Sequence, residues 1–198
     1  MKNTNKLSES DFEEIAQEYN INATILKALC QVETGGKGGF LDNGRASILF
    51  EGHIFWRELK RQGINPELYA EEYSNIVYPT WDRSKYSGGT AEYLRLSTAL
   101  SINRIAALRS TSWGMFQIMG FNHPLCDEPT IDRFVERMNE SEASQLRLSL
   151  NYIKNAGIMP LLNNHKWADF ALLYNGVSYK QNKYDERLCD AYEKLSKK

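Results

Sequence analysis

Hydrophobic positions along the first part of the chain recur at helical spacing, and polar caps or glycines bound each run. Phe12, Ile15, Ala16 and Tyr19 fall on one side of a first helix, for which Ser10 and Glu13 read as a capping box. Ile25, Leu26, Leu29 and Val32 form the stripe of a second helix, capped by Asn22. It must end at Glu33-Thr34, because Gly35-Gly36 and Gly38-Gly39 follow at once and glycines break helices. Between Phe40 and Phe50 an Asp42-Asn43-Gly44 turn signal separates short apolar runs, the pattern of a small hairpin. Residues 52–62 predict a helix stopped by Gly63, and Asn65-Pro66 starts another short one.

The stretch from Ser74 to Gly89 is loop-like and aromatic, with Tyr78, Trp81 and Tyr86. Thr90 is positioned to cap the longest predicted helix, running to Leu108 with Leu94, Ile102, Ile105 and Ala106 among its apolar residues. An apolar helix of that length should be central and packed on more than one side. Further helices are predicted near 130–138, 141–155 and 163–174, and a last one over 178–195. The third of these is broken by Tyr174-Asn175-Gly176. The pattern is mainly α, formally α+β, with one small β-element between the second and third helices.

Composition narrows this picture. With 198 residues, 42% apolar and 25% charged, and no repeat, low-complexity tract or linker, the expectation is one globular domain over 1–198. Any cleft would then lie between lobes of that domain. The balance of 24 basic and 25 acidic residues, with no basic stripe longer than Lys60-Arg61 or the C-terminal lysines, argues against a nucleic-acid partner. Cys30, Cys126 and Cys189 are too widely spaced for a zinc clamp or a redox dithiol. Cys30 and Cys189, on predicted helices, are expected as buried free thiols, and the odd count fits a reducing compartment. The first residues lead into acidic ones rather than an apolar run, so no signal peptide is expected. No apolar stretch approaches the ~18 residues of a membrane span.

The candidate chemistry centres on Glu33. An acid at the C-terminal end of an apolar helix meets the unfavourable end of the helix dipole and is partly buried. Both effects favour its protonated form, the state a general acid needs to donate a proton to a leaving oxygen. A solvated helix-end glutamate is the competing use. Inverting glycoside hydrolysis also needs a second carboxylate, roughly 6.5–9.5 Å away. Asp42, in the predicted turn, and Glu51, just after Phe50, are the two candidates; Glu51 could instead be an internal anchor receiving backbone N–H bonds. His53, His123 and His165 lack metal-ligand spacing; His53 could hydrogen-bond near the Glu33 site, and a structural role competes. There is no nucleophile elbow and no nucleotide-binding glycine motif. Tyr78, Trp81, Tyr86, Trp113, Tyr174 and Tyr179, in or beside predicted loops, could stack on sugar faces or pack in the core.

Four segments, in order, resemble the lysozyme-like superfamily, and most closely the N-acetylmuramidase catalytic domain of some phage endolysins. Gln31-Val32-Glu33-Thr34-Gly35-Gly36 is similar to the glutamate-bearing helix end of goose-type lysozymes and soluble lytic transglycosylases. Ile48-Leu49-Phe50-Glu51-Gly52-His53-Ile54-Phe55 resembles a pattern of the muramidase domain itself. Ser112-Trp113-Gly114-Met115-Phe116-Gln117-Ile118-Met119-Gly120-Phe121-Asn122-His123 and Phe170-Ala171-Leu172-Leu173-Tyr174-Asn175-Gly176 are similar to the glutamine and tyrosine-asparagine motifs of those enzymes. The resemblance implies a helical lysozyme-like fold with a small β-hairpin lobe and an interlobe substrate cleft. It implies that Glu33 is the general acid and that the Gly114–Ile118 segment, with Met115 and Gln117, shapes the groove near the sugar. Tyr174 and Asn175 would lie close to Glu33, with the tyrosine hydroxyl contacting the acid or the substrate.

The implied substrate is the β-1,4 bond between N-acetylmuramic acid and N-acetylglucosamine in bacterial peptidoglycan, with no metal or organic cofactor. The nine-residue spacing from Glu33 to Asp42 is similar to that of the acid pair of phage-type lysozymes, which favours hydrolysis. Lytic transglycosylation to an anhydro sugar, which uses one glutamate, stays open, as does a glycan-binding module without catalysis. A monomer is the default for an enzyme acting on an insoluble polymer. A phage lysis enzyme of this kind would wait in the cytoplasm and act on the wall once the inner membrane is breached; a bacterial effector could look the same.

Overall fold

Capping residues and helix breakers set several element ends in the computed structural model, which describes residues 6–197. The helices are α1 (Glu9–Tyr19), α2 (Ala23–Thr34), α3 (Gly52–Arg61), α4 (Glu67–Ala70), α5 (Glu92–Ile102) and α6 (Arg104–Arg109). They continue with α7 (Ile131–Met138), α8 (Glu142–Asn155), α9 (Met159–Asn163), α10 (Trp167–Asn175) and α11 (Tyr184–Ser196). Three short strands, β1 (Ile48–Phe50), β2 (Thr111–Trp113) and β3 (Ile118–Met119), complete the set. The capping box of α1 is Ser8 with Asp11, one pair earlier than Ser10 with Glu13: Ser8 Oγ accepts from the Asp11 N–H and the Asp11 carboxylate accepts from the Ser8 N–H at 2.7 Å. Asn22 caps α2 through the Thr24 N–H, as expected, and Gly35 ends it in the left-handed region. No helix among the described residues is long and apolar enough to cross a membrane.

The chain is mainly helical with one small antiparallel sheet, in the order β1-β2-β3. The expected 40–50 hairpin is reduced to a single bridge between Phe40 and Ala46 around the Asp42-Asn43-Gly44 turn. β1 instead takes its partner from far along the chain, Ile48 opposite Trp113 and Phe50 opposite Thr111. The predicted long helix from Thr90 is two helices. Asn103 adopts an extended conformation and its side chain caps α6 through the Ala106 N–H, so the backbone is diverted from a continuous helix. Leu94 and Ile105 consequently face solvent, and the longest helix is α8. The last predicted helix starts later, at Tyr184, after a 3-10 turn over Val177–Lys180.

One hydrophobic cluster runs from Ile15 to Ala191 and includes Phe50, Phe55, Trp113, Phe134 and Phe170. α11 lies along α2, with Tyr184, Leu188 and Ala191 at helical spacing forming its buried face. α8 serves as a platform for two loops. Its buried Gln145 accepts the Met115 N–H at 2.8 Å and donates to the carbonyls of Gly39 and Met138. One turn earlier, Glu142 accepts the N–H groups of Leu7 and Gly39, both at 3.0 Å.

The sheet has its own charged anchor. Fully buried Glu92 accepts the N–H groups of Phe50, Ser87 and Gly88 and pairs with Arg95 at 2.7 Å. Arg95 in turn donates to the carbonyls of Phe50 and Asn75. Burial pushes the Glu92 carboxyl upward, but the N–H groups of Gly88, Phe50 and Ser87 and the Arg95 charge outweigh it and hold it below the usual range. Its contribution is therefore present above the unfolded value of about 4.3 and lost as pH falls through the depressed folded value. Glu92→Gln is expected to cost about 3 kcal/mol at neutral pH, because Arg95 is left buried without its partner, and less at pH 3. Urea denaturation at the two pH values measures both.

Candidate active site

The last turn of α2 delivers Glu33 to a pocket of about 430 Å³ lined also by Lys37, Asn175, Ser178, Tyr179, Asn182, Tyr184 and Arg187. Local chemistry fixes the helix end. Thr34 Oγ1 donates to the Cys30 carbonyl and accepts from the Gly36 N–H, while Gly35, Gly36 and Gly38 all sit at positive φ. Gly39 has no room for a side chain: a Cβ there would meet Gln145 Oε1 and Met115 Cγ at 1.9 and 2.6 Å. The loop is thus pinned at its far end by α8.

Glu33 Oε1 accepts a hydrogen bond of 2.5 Å from the Tyr184 hydroxyl, which leaves its other oxygen for the pocket. Burial pushes the Glu33 carboxyl up to about 7, against the Tyr184 hydrogen bond and the Arg187 charge, which both favour the ionised form. Burial and the neighbouring Glu33 hold the Tyr184 phenol well above its ordinary value, so it remains an O–H donor. Arg187, one turn further along α11, donates to the Val32 carbonyl at 2.8 Å. The result is a carboxyl that is half protonated near neutrality and oriented by one fixed hydrogen bond, the setting a proton donor requires.

Of the residues singled out in the sequence for chemistry or sugar contact, Glu33, Asn175 and Tyr179 meet in this pocket. Tyr174 does not line it. Its ring packs behind the site, 6.2 Å from Tyr184 and stacked on Phe170 at 5.1 Å, so the hydroxyl contact to the acid expected of Tyr174 is made by Tyr184. Gln117 is spent on its own turn, donating to the Gly114 carbonyl at 2.8 Å and accepting from the Ser112 hydroxyl at 2.9 Å. Met115 is buried and borders an adjoining cavity of about 320 Å³ that shares Thr34 with the Glu33 pocket.

Asp42 and Glu51 do not line the Glu33 pocket either. Asp42 is exposed at its turn and makes no hydrogen bond or ion pair among the described residues. Glu51 accepts the Tyr86 hydroxyl at 2.5 Å and lies 3.3 Å from His53 Nδ1. The backbone-anchored carboxylate anticipated at Glu51 is Glu92. His53 stacks on Tyr78, and burial lowers its pKa despite Glu51. Trp113 is in the core, Trp81 is exposed, and Cys189 is only partly buried. Cys189 borders a separate cavity of about 570 Å³ on the other face of α11, which contains none of the residues around Glu33. Among the described residues no group of His, Cys, Asp and Glu could hold a metal ion. Tyr184 and Arg187 were missed because no motif marks them; the signal was the apolar stripe Tyr184, Leu188, Ala191, which turns Tyr184 inward.

Residues 22–196 match the family model described as Muramidase, N-acetylmuramidase. The chain belongs to the N-acetylmuramidase family. This muramidase is therefore a glycoside hydrolase that acts on peptidoglycan. Its fold is similar to that in the crystal structure of a Burkholderia AP3 phage endolysin, with a TM-score of 0.91 and 36% identity over 100% of this chain and 74% of that one. A search among curated proteins gave no match.

The Glu33 titration predicts a stability signature. A carboxyl whose folded value of about 7 exceeds its unfolded value of about 4.3 costs the fold more to ionise, so stability falls as pH rises through that window. Glu33→Gln is expected to melt like the wild type at pH 4 and to be more stable than it at pH 8, by about 1–3 kcal/mol. Equal stability at both values in calorimetry would contradict the raised pKa.

Proposed function

We propose that Glu33 is the general acid of this muramidase, protonating the glycosidic oxygen between N-acetylmuramic acid and N-acetylglucosamine. The observation that carries this reading is the coupling of a raised carboxyl, a fixed Tyr184 hydrogen bond and an open pocket at one atom. Asp42 serves as the second carboxylate, activating water. Its side chain is exposed and unengaged at the turn that follows the glycine loop, whereas Glu51 is tied to Tyr86. Asn175 contacts the bound sugar, while Tyr174, Gln117, Met115 and His53 support the walls rather than the reacting atoms. The chain works as one domain and as a monomer, and reaches the wall in phage lysis.

Glu33→Gln is expected to lower turnover on purified peptidoglycan by about a thousandfold or more, and Asp42→Asn by about a hundredfold. Mass spectrometry of the released muropeptides should show reducing-end muramic acid. Anhydromuramic products with an active Asp42→Asn variant would instead favour transglycosylation, a reading supported by Glu33 being the one carboxylate among the described residues that lines its pocket. Tyr184→Phe removes an interaction that stabilises ionised Glu33, so the alkaline limb of the pH–rate profile should move to higher pH. A downward shift of that limb sinks the assignment of the acid.

A further inference from the structure

The segment Gly35-Gly36-Lys37-Gly38-Gly39 carries a single side chain, and that side chain is a cation lining the Glu33 pocket. Its placement is built rather than incidental. Gly35, Gly36 and Gly38 adopt positive φ, the Lys37 N–H closes a turn on the Thr34 carbonyl, and Glu142 holds the Gly39 N–H. Lys37 forms no ion pair among the described residues. On α11, Arg187 uses one N–H on the Val32 carbonyl and pairs with no carboxylate among the described residues, which leaves the rest of its donor fork available. With Glu33 protonated for reaction, the pocket's lining among the described residues carries two positive charges and no negative one, in a chain whose overall net charge is −1.

Neutral sugar rings do not call for two cations. A muramic acid residue does offer an anion, because its 3-O-lactyl branch either ends in a carboxylate or carries a peptide bearing carboxylates. We propose that Lys37 and Arg187 form a carboxylate-recognition site beside Glu33 that selects glycan strands by the anionic group on the muramyl lactyl branch. This rests on the reading of the Glu33 pocket as the active site. The guanidinium fork suits a bidentate carboxylate, and the lysine supplies a second point charge from the glycine loop.

The test measures kcat/KM on three substrates: intact peptidoglycan, strands stripped of peptides by an amidase and so ending in lactyl carboxylates, and those stripped strands converted to neutral methylamides. Lys37→Met and Arg187→Met are each expected to lose about tenfold on carboxylate-bearing strands, mainly through KM. On methylamidated strands the wild type should itself fall to the level of the variants. A loss on stripped strands identifies the lactyl carboxylate as the group recognised; a loss confined to intact peptidoglycan identifies a carboxylate of the peptide. Because Arg187 also braces the end of α2, Arg187→Lys and the exposed Lys37→Met guard against loss through misfolding. Equal losses on neutral and anionic strands, or no loss on any, overturn the proposal. Glu33→Gln measured alongside separates the two readings: if it remains active on all three substrates, the pocket assignment itself fails.

Discussion

The contact of α11 with α2 governs the chemistry available to this muramidase. A glutamate at the end of an apolar helix would ordinarily turn into water and ionise at its usual pH. Here Tyr184 and Arg187, one turn apart on α11, close over the last turn of α2, one through the Glu33 carboxyl and the other through the Val32 carbonyl. Burial raises the acid, and the two neighbours restrain the rise and fix its direction. The stripe Tyr184, Leu188, Ala191 that packs the two helices is therefore also what shapes the site.

The rest of the fold holds the glycine loop that borders the pocket. α8 reaches the glycine loop with Glu142 and the Met115 turn with Gln145, so two motif segments far apart in sequence meet on adjacent turns of one helix. The sheet joins them, since the Ser47 N–H bonds the Gly39 carbonyl and the Gly114 N–H bonds the Ser47 carbonyl. Buried Glu92, with Arg95, then ties β1 to α5 and holds the sheet to the helical body.

Much of this was legible in the sequence where the cause is local. The end of α2 followed from Asn22 and the glycines, and the acid character of Glu33 from its place at that end. Features that depend on distant partners were not legible. Nothing near residue 48 announces that β1 will pair with Thr111–Trp113, and a pairing across more than sixty residues leaves no periodic trace. Asn103 was hidden inside an apolar helical pattern because a capping asparagine there leaves the spacing of its apolar neighbours unchanged. Tyr184 lay outside every motif, and Tyr174 was favoured in its place because the tyrosine-asparagine motif is visible while a three-dimensional neighbour 151 residues from Glu33 is not.

Glu142 has a mechanical consequence. One of its oxygens holds the Leu7 N–H and the other the Gly39 N–H, so a single rigid carboxylate clamps the start of the described chain to the loop that carries Lys37. Tension or steric load applied ahead of Leu7 is transmitted through that clamp to the rim of the Glu33 pocket.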